Sequence, residues 1–120
     1  MIRPTNSGVD VYVRLEPVDF RKQATGLAAL VQVNLELDPF APALYVFTNR
    51  RRCAVKILAW ERNGFILWHK RLERQRFHWP RAMSGDATVS LSVQELNWLL
   101  DGLDLAKWQP HVPLSYQYVA

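Results

Sequence analysis

The sequence lacks several features by which small proteins are often classified. Its one cysteine, Cys53, has no intramolecular partner, so a disulfide scaffold is excluded and a reducing, cytoplasmic setting is expected. Residues 1–8 hold no apolar stretch and do not resemble a secretory signal. No apolar run approaches the roughly 20 residues that a transmembrane helix needs, so we expect no membrane association.

Patterns typical of catalytic and metal sites are also missing. The histidines, His69, His78 and His111, have neither HxxxH nor Cys–His spacing, which argues against zinc. The aspartates do not cluster as a two-metal nuclease requires, and the isolated glycines form no phosphate-binding loop. We therefore expect no catalytic residue, metal, cofactor or small-molecule substrate. A catalytic pair built from distant residues, such as Asp19 with His69, is the alternative that the sequence leaves open.

The chain does contain an uneven distribution of charge. It has 120 residues, 49% of them hydrophobic and 22% charged, which predicts one folded domain over residues 1–120. Its net charge is +4, yet the segment from Arg50 to Arg81 alone carries ten lysines or arginines against two acids, a balance of +8. The remainder of the chain is acidic. The basic segment is the strongest functional signal and indicates an anionic partner.

Hydrophobic periodicity predicts an α+β fold. Apolar residues alternate in Val9–Leu15, which is typical of a strand, and recur at three- and four-residue spacing in Phe20–Glu36, which predicts a helix with Asp19 as its N-cap. Ser92-Val93-Gln94-Glu95 has the pattern of a capping box and predicts a second helix over Val93–Leu103.

The middle of the chain is rich in strand-forming residues. Ala43–Thr48 and Cys53–Trp60 are predicted strands, and Asn63-Gly64 predicts a hairpin that leads into a third, with Lys56 opposite Arg71. Thr88–Leu91 predicts a further short strand. The predicted architecture is an antiparallel β-meander sheet of three to five strands with two main helices packed on one face.

This meander predicts that the cations converge. The Arg50–Arg52 turn and the Lys70-Arg71 pair should lie at the same end of the sheet. Because the arginine guanidinium binds phosphate in a bidentate manner, such a patch suits contact with a nucleic-acid backbone. The candidate nucleic-acid contacts are Arg50, Arg51, Arg52, Lys56, Lys70, Arg71, Arg74 and Arg76.

Each of these residues also has a structural interpretation. The arginines could simply solvate turns, although three adjacent cations in Arg50–Arg52 repel one another and favour an anion. The interleaved aromatics, such as Trp60, Phe65 and Trp68, could stack on bases, but we expect them to be core residues.

Three segments also resemble a known family: "DFRKQATGLAALV" from Asp19, "DPFAPALYVFTNRRRCAVKILAWERNGFILWHKRLERQRFHWP" from Asp38, and "LSVQELNWLLDGLDL" from Leu91. In order and spacing they resemble the TnpB-type accessory proteins, the second reading-frame products of the insertion sequence sixty-six transposons. These are unlike the RNA-guided nucleases that share the TnpB label. Where the family commonly has a charged pair after its three arginines, this chain has Cys53 and Ala54.

The resemblance implies a small protein that has no known catalytic residues, is encoded beside a separate transposase and assists transposition. Together with the basic segment, it predicts a non-catalytic accessory protein that binds DNA at the transposon ends. The alternative is a protein–protein adaptor whose same basic surface docks on the transposase or on another accessory protein without contacting DNA.

Overall fold

A single sheet organises the described part of the chain, which in this computed structural model is residues 8–81, 85–108 and 117–119. The elements in chain order are β1 (Asp10–Arg14), α1 (Ala24–Val33), β2 (Ala43–Thr48), β3 (Ala54–Glu61), β4 (Gly64–Arg71), β5 (Thr88–Leu91), α2 (Val93–Leu100), α3 (Leu105–Trp108) and β6 (Gln117–Val119). The strand order in the sheet is β4-β3-β2-β1-β5-β6.

The sheet is mostly antiparallel, and the predicted α+β class is confirmed. Strands β2, β3 and β4 form the predicted meander, and β5 pairs antiparallel with β1. The three-residue β6 adds to the outer edge of β5. The sheet is nevertheless mixed, because β1 and β2 run parallel and the connection between them contains α1. Two parallel strands need a long connection of this kind between them. The predicted order strand–helix–strand is compatible with a parallel pair but does not require one.

The two main helices pack on opposite faces of the sheet, so the prediction that they share one face is wrong. Helix α1 covers the face that carries Tyr45, Phe47 and Leu58. Helix α2 covers the face that carries Val46 and Ile57 together with the alternating apolar residues of β1. Strand β2 agrees with this arrangement, because it is buried at all six positions, as expected of a strand covered on both faces.

Helix α1 begins later than predicted. It starts at Ala24, after Gln23, whose side chain makes no capping hydrogen bond, and the N-cap role predicted for Asp19 is wrong. The Asp19 carboxylate instead accepts a hydrogen bond from the backbone N–H of Arg21 at 2.9 Å. Residues 19–22 therefore form a separate turn, which becomes part of the candidate site.

Helix α2 begins as predicted and ends three residues early. The Ser92 hydroxyl accepts from the Glu95 N–H at 3.0 Å and the Glu95 carboxylate accepts from the Ser92 N–H at 2.9 Å, which is the predicted capping box. The helix ends at Leu100 because Gly102 takes a positive φ of 88°, a conformation that glycine adopts without strain.

The β3–β4 hairpin is displaced from its predicted register. Its turn is Arg62-Asn63 instead of Asn63-Gly64, because Arg62 takes the positive φ, 51°, and Gly64 pairs with Glu61 as part of the strand. Lys56 consequently lies opposite His69, and Arg71 lies opposite Ala54. Since the shift is two residues along β4, each side chain keeps its predicted face.

Some predictions fall beyond the described residues. The expectation that the N-terminus is not a secretory signal concerns residues 1–7, which lie outside them, as do residues 109–116 of the tail. After α2, the described residues form the short helix α3 and the strand β6. Within the described residues, no helix has the length and apolar character required to cross a bilayer.

Candidate nucleic-acid interface

The turn between β2 and β3 presents three adjacent arginines to solvent. Asn49 organises it: its side-chain oxygen accepts hydrogen bonds from the N–H groups of Cys53 and Ala54 at 3.0 and 3.2 Å, and its carbonyl accepts from the Arg52 N–H at 3.0 Å. Because the turn is held by backbone groups and by Asn49, the side chains of Arg50–Arg52 are left exposed.

The segment after β4 returns alongside this turn. The Leu72 N–H donates to the Cys53 carbonyl at 2.8 Å, and the Phe77 N–H donates to the Arg52 carbonyl at 2.7 Å. These bonds hold residues 72–77 beside the arginine turn, as the predicted convergence at one end of the sheet requires. We call this surface the basic end; its exposed arginines are Arg50, Arg51, Arg52, Arg71, Arg74 and Arg76.

The charges of the basic end are largely uncompensated. Among the described residues, the side chains of Arg50, Arg51, Arg52, Arg74 and Arg76 have no hydrogen-bond or ion-pair partner. Arg71 makes one contact, from its Nη1 to the Cys53 sulfur at 3.5 Å. Like charges that stand together without counter-charges raise the local potential and favour an anion.

The two lysines of the predicted contact set have structural roles instead. Lys56 is 3% exposed, and its ammonium donates to the carbonyls of Phe20 and Lys22 at 2.8 and 2.9 Å. Burial lowers its pKa, and the Asp19 charge partly offsets that effect. The Lys70 ammonium donates to the Leu100 carbonyl at 2.9 Å, at the C-terminal end of α2, where a cation is favoured. Both ammonium groups are therefore engaged within the fold, and the exposed arginines are the main candidates for contact with DNA.

A cavity of about 420 Å³ opens between the arginine turn and the loop that precedes α1. The loop is fixed by the Val18 N–H, which donates to the Thr48 carbonyl at 2.9 Å, and by the Arg14 guanidinium, which donates to the Pro17 carbonyl at 2.8 Å. The residues that line the cavity are Pro17, Val18, Asp19, Phe20, Asn49, Arg50 and Arg51.

Sequence reasoning missed the loop side of this cavity. The segment Asp19–Lys22 was assigned to the start of a helix, so its side chains were not considered for the site. The available signal was the resemblance itself, because "DFRK" and "NRRR" both belong to it and the structure brings them together around the cavity. Arg21 and Lys22 add two exposed cations beside the basic end.

Phe20 lines the cavity and contacts the side chains of Lys56 and His69. The Lys56 ammonium lies 4.8 Å from the centre of its ring, and the His69 ring packs edge-on against it at 5.6 Å. Burial, followed by the charges of Lys56 and Arg71, lowers the pKa of His69 below its ordinary 6.5, so His69 is neutral at pH 7. Because the pKa of His69 is lower in the folded state, the folded state binds fewer protons than the unfolded state. The stability that neutral His69 contributes to the fold therefore declines as the pH falls below about 6.5.

Asp19 and His69, the distant pair considered for catalysis, are engaged elsewhere. Hydrogen bonds from Arg21 lower the pKa of the Asp19 carboxyl to about 2, so the carboxylate is a weak proton acceptor near neutral pH. Arg21 also closes an ion pair with it at 2.7 Å. Within the part of the chain that the structure describes, no three histidine, cysteine, aspartate or glutamate residues are grouped to hold a metal ion.

Of the three aromatics that were expected in the core, Trp68 packs against the α2-side core and Phe65 against the α1-side core. Phe77 and Trp79 are also buried, at 3% and 7% exposed. Trp60 differs: it is only partly buried and forms a cluster with Phe65 and Phe40 whose ring centres are 5.0 to 5.5 Å apart.

We call Phe40, Trp60 and Phe65 the aromatic end of the sheet. Trp60 lies six residues along β3 from Ala54, which places the aromatic end roughly 20 Å from the basic end at the usual rise per residue. Phe40 is 54% exposed. The two surfaces are therefore separate.

We predict that Lys56→Met destabilises the fold. The substitution keeps the length of the side chain but leaves the carbonyls of Phe20 and Lys22 without their donor, which should lower the free energy of unfolding by about 1–3 kcal/mol. Urea denaturation measures the change. In the matched control Lys22→Met, the exposed ammonium is removed and the change should stay within about 0.5 kcal/mol. Equal stabilities of the two variants would contradict the structural role of Lys56.

Comparisons with known proteins agree with the resemblance. The family model described as "IS66 Orf2 like protein" matches residues 9–110. Two relatives come from Sinorhizobium fredii (strain NBRC 101917 / NGR234). "Uncharacterized protein y4jC" is 36% identical over 104 residues, which is 87% of this chain and 86% of the relative. "Uncharacterized protein y4hO" is 35% identical over 101 residues, which is 84% of this chain and 86% of the relative. No solved structure gives a significant match. The chain therefore belongs to the IS66 Orf2 like family, and with it to the proteins associated with that type of insertion sequence.

Proposed function

We propose that this protein is a non-catalytic accessory factor that assists transposition by binding DNA through its basic end. The observation that carries the proposal is the set of exposed arginines on two adjacent segments; among the described residues, none of these arginines forms an ion pair. Membership of the IS66 Orf2 like family links the protein to a mobile element, and the exposed arginines of the basic end support contact with DNA.

The chemistry of the basic end suits the DNA backbone. Each guanidinium offers a planar set of donors that match phosphate oxygens, and the rigid turn holds Arg50–Arg52 close together. Such contacts fix the position of a protein on DNA but do not read its sequence. We therefore propose that affinity for the transposon ends comes mainly from charge and that selectivity for those ends is completed by the transposase.

Substitution of two arginines in the turn tests the contribution of the basic end to DNA affinity. The double variant Arg50→Gln, Arg51→Gln should bind a duplex that carries the element's terminal repeat about tenfold or more weakly, because two phosphate contacts are lost. The slope of log affinity against log salt concentration should become shallower by about 2. Fluorescence anisotropy at several salt concentrations measures both quantities.

The matched control is Arg62→Gln. Arg62 is an exposed arginine of the same basic segment, but it lies in the β3–β4 turn, at the aromatic end of the sheet. Its substitution removes one charge that is distant from the basic end and should therefore change the DNA affinity and the salt slope only slightly. If wild-type protein fails to bind the duplex even at low salt, or if the control weakens binding as much as the double variant, DNA binding by the basic end is refuted.

A second candidate function is supported by the aromatic end. Exposed aromatic clusters are unusual on a surface that faces only water and are enriched where proteins meet. Phe40 is the exposed member of the cluster here, at 54%. This favours an adaptor that docks on the transposase. The docking surface in this function is the aromatic end, whereas the sequence predicts docking through the basic end.

The adaptor function predicts that Phe40→Ser reduces co-purification with the element's transposase after nuclease treatment, since the substitution removes a half-exposed apolar side chain from the proposed contact. The Arg50→Gln, Arg51→Gln variant is the control and should co-purify as the wild type does. If the arginine variant loses the transposase while Phe40→Ser retains it, the partner binds the basic end and the aromatic end has no docking role.

A further inference from the structure

The cavity beside the basic end is larger than phosphate binding alone requires, and its lining combines arginines with apolar residues. We propose that it holds one unpaired nucleotide of DNA, with the base against Phe20 and the adjoining phosphate at Arg50 and Arg51. This inference rests on the proposed DNA-binding function and adds to it a preference for DNA that has a single-stranded end.

The volume of the cavity fits an organic ligand. At about 420 Å³ it lies within the range of roughly 300–1,000 Å³ that is usual for small-molecule pockets. A phosphate group on a duplex backbone is reached by exposed side chains and needs no recess. A recess of this size next to unpaired arginines therefore indicates that more than the phosphate enters.

The cavity wall has two chemically different sides. The arginine turn contributes Asn49, Arg50 and Arg51 to the lining, and the loop before α1 contributes Pro17, Val18, Asp19 and Phe20. Proteins that bind single-stranded nucleic acid combine these elements, with cations along the backbone and an aromatic ring for a base. In a duplex the bases are stacked and paired, so only an unpaired base is able to reach such a ring.

The ring of Phe20 is held in place before any ligand binds. The Lys56 ammonium both contacts the ring, at 4.8 Å from its centre, and bonds the Phe20 carbonyl at 2.8 Å, while His69 packs against the ring edge. A side chain that is fixed in this way loses little conformational entropy when a base packs against it.

The acidic residue of the cavity does not prevent a nucleotide from binding. The Asp19 carboxylate accepts hydrogen bonds from the Arg21 side chain at 2.7 to 3.1 Å, so its charge is neutralised locally. The Arg21–Asp19 pair has no net charge, so the cations of the cavity that remain for a phosphate are those of Arg50 and Arg51. The local balance around Asp19 remains favourable to a phosphate.

The test compares three DNA ligands of one duplex sequence: a blunt duplex, the duplex with a three-nucleotide 3′ overhang, and the duplex with an abasic overhang of the same length. The overhang should bind about five- to 100-fold more tightly than the blunt end, because a base stacked on an aromatic side chain contributes on that scale. The abasic overhang keeps the phosphates and should lose most of this gain.

Protein variants localise the effect. Phe20→Leu keeps an apolar side chain but removes the ring, and it should bind the overhang and the blunt duplex with similar affinity. Phe40→Leu removes an exposed ring at the opposite end of the sheet and should keep the wild-type preference. The comparison of abasic and ordinary overhangs on wild-type protein decides the question even if Phe20→Leu fails to fold.

The possible outcomes distinguish failure of this inference from failure of the proposed function. Equal affinity of the wild-type protein for blunt, ordinary and abasic ends would overturn nucleotide binding in the cavity and leave DNA binding by the basic end intact. An overhang preference that survives loss of the bases, or that Phe20→Leu retains, would also overturn it. Failure to bind all three DNA ligands would refute the proposed function together with the inference.

Discussion

The buried ammonium of Lys56 is the interaction on which the rest of the candidate site depends. It rises from a central position of β3 and bonds two carbonyls of the turn that precedes α1. An ammonium that is nearly excluded from water is costly unless its donors are satisfied, so the turn is tied closely to the sheet. That tie places Phe20 and Asp19 opposite the arginine turn and thereby forms the cavity between them.

The lysines of β3 and β4 and the arginines of the basic end have different roles. Lys56 and Lys70 act inward, as donors to backbone carbonyls of neighbouring elements, whereas the arginines of the basic end stay in solvent. This difference agrees with the chemistry of the two side chains, since a compact ammonium caps carbonyl groups and a planar guanidinium matches phosphate oxygens. A charge count along the sequence cannot make this distinction. The local balance of +8 therefore overstates the charge that is available to a partner.

Much of the fold was predictable from local patterns. The meander and the capping box of α2 were predicted because strand-forming runs and the Ser92–Glu95 spacing are local signals. The side of the sheet on which each helix packs was not predictable in this way, because it depends on how the chain crosses over between β1 and β2. The hairpin register was missed because Arg62, and not Gly64, takes the positive φ.

The candidate site was predictable only in part. The convergence of Arg50–Arg52 with Arg71 follows from antiparallel strands, and the structure has it. The burial of Lys56 and the approach of the residue 17–22 loop are tertiary contacts between segments more than 30 residues apart, for which the sequence offers no periodicity. The separation of the aromatic end from the basic end likewise becomes visible only once Phe40 is placed beside Trp60.

The central claim is that DNA is bound by the basic end of the sheet and not elsewhere. Amide chemical-shift mapping during titration with a terminal-repeat duplex tests this most directly, because each residue of both ends reports separately. The account predicts shifts concentrated at Arg50–Arg52 and at residues 72–77, with Phe40, Trp60 and Phe65 unchanged. Shifts centred on the aromatic end, with the arginine turn unaffected, would contradict it.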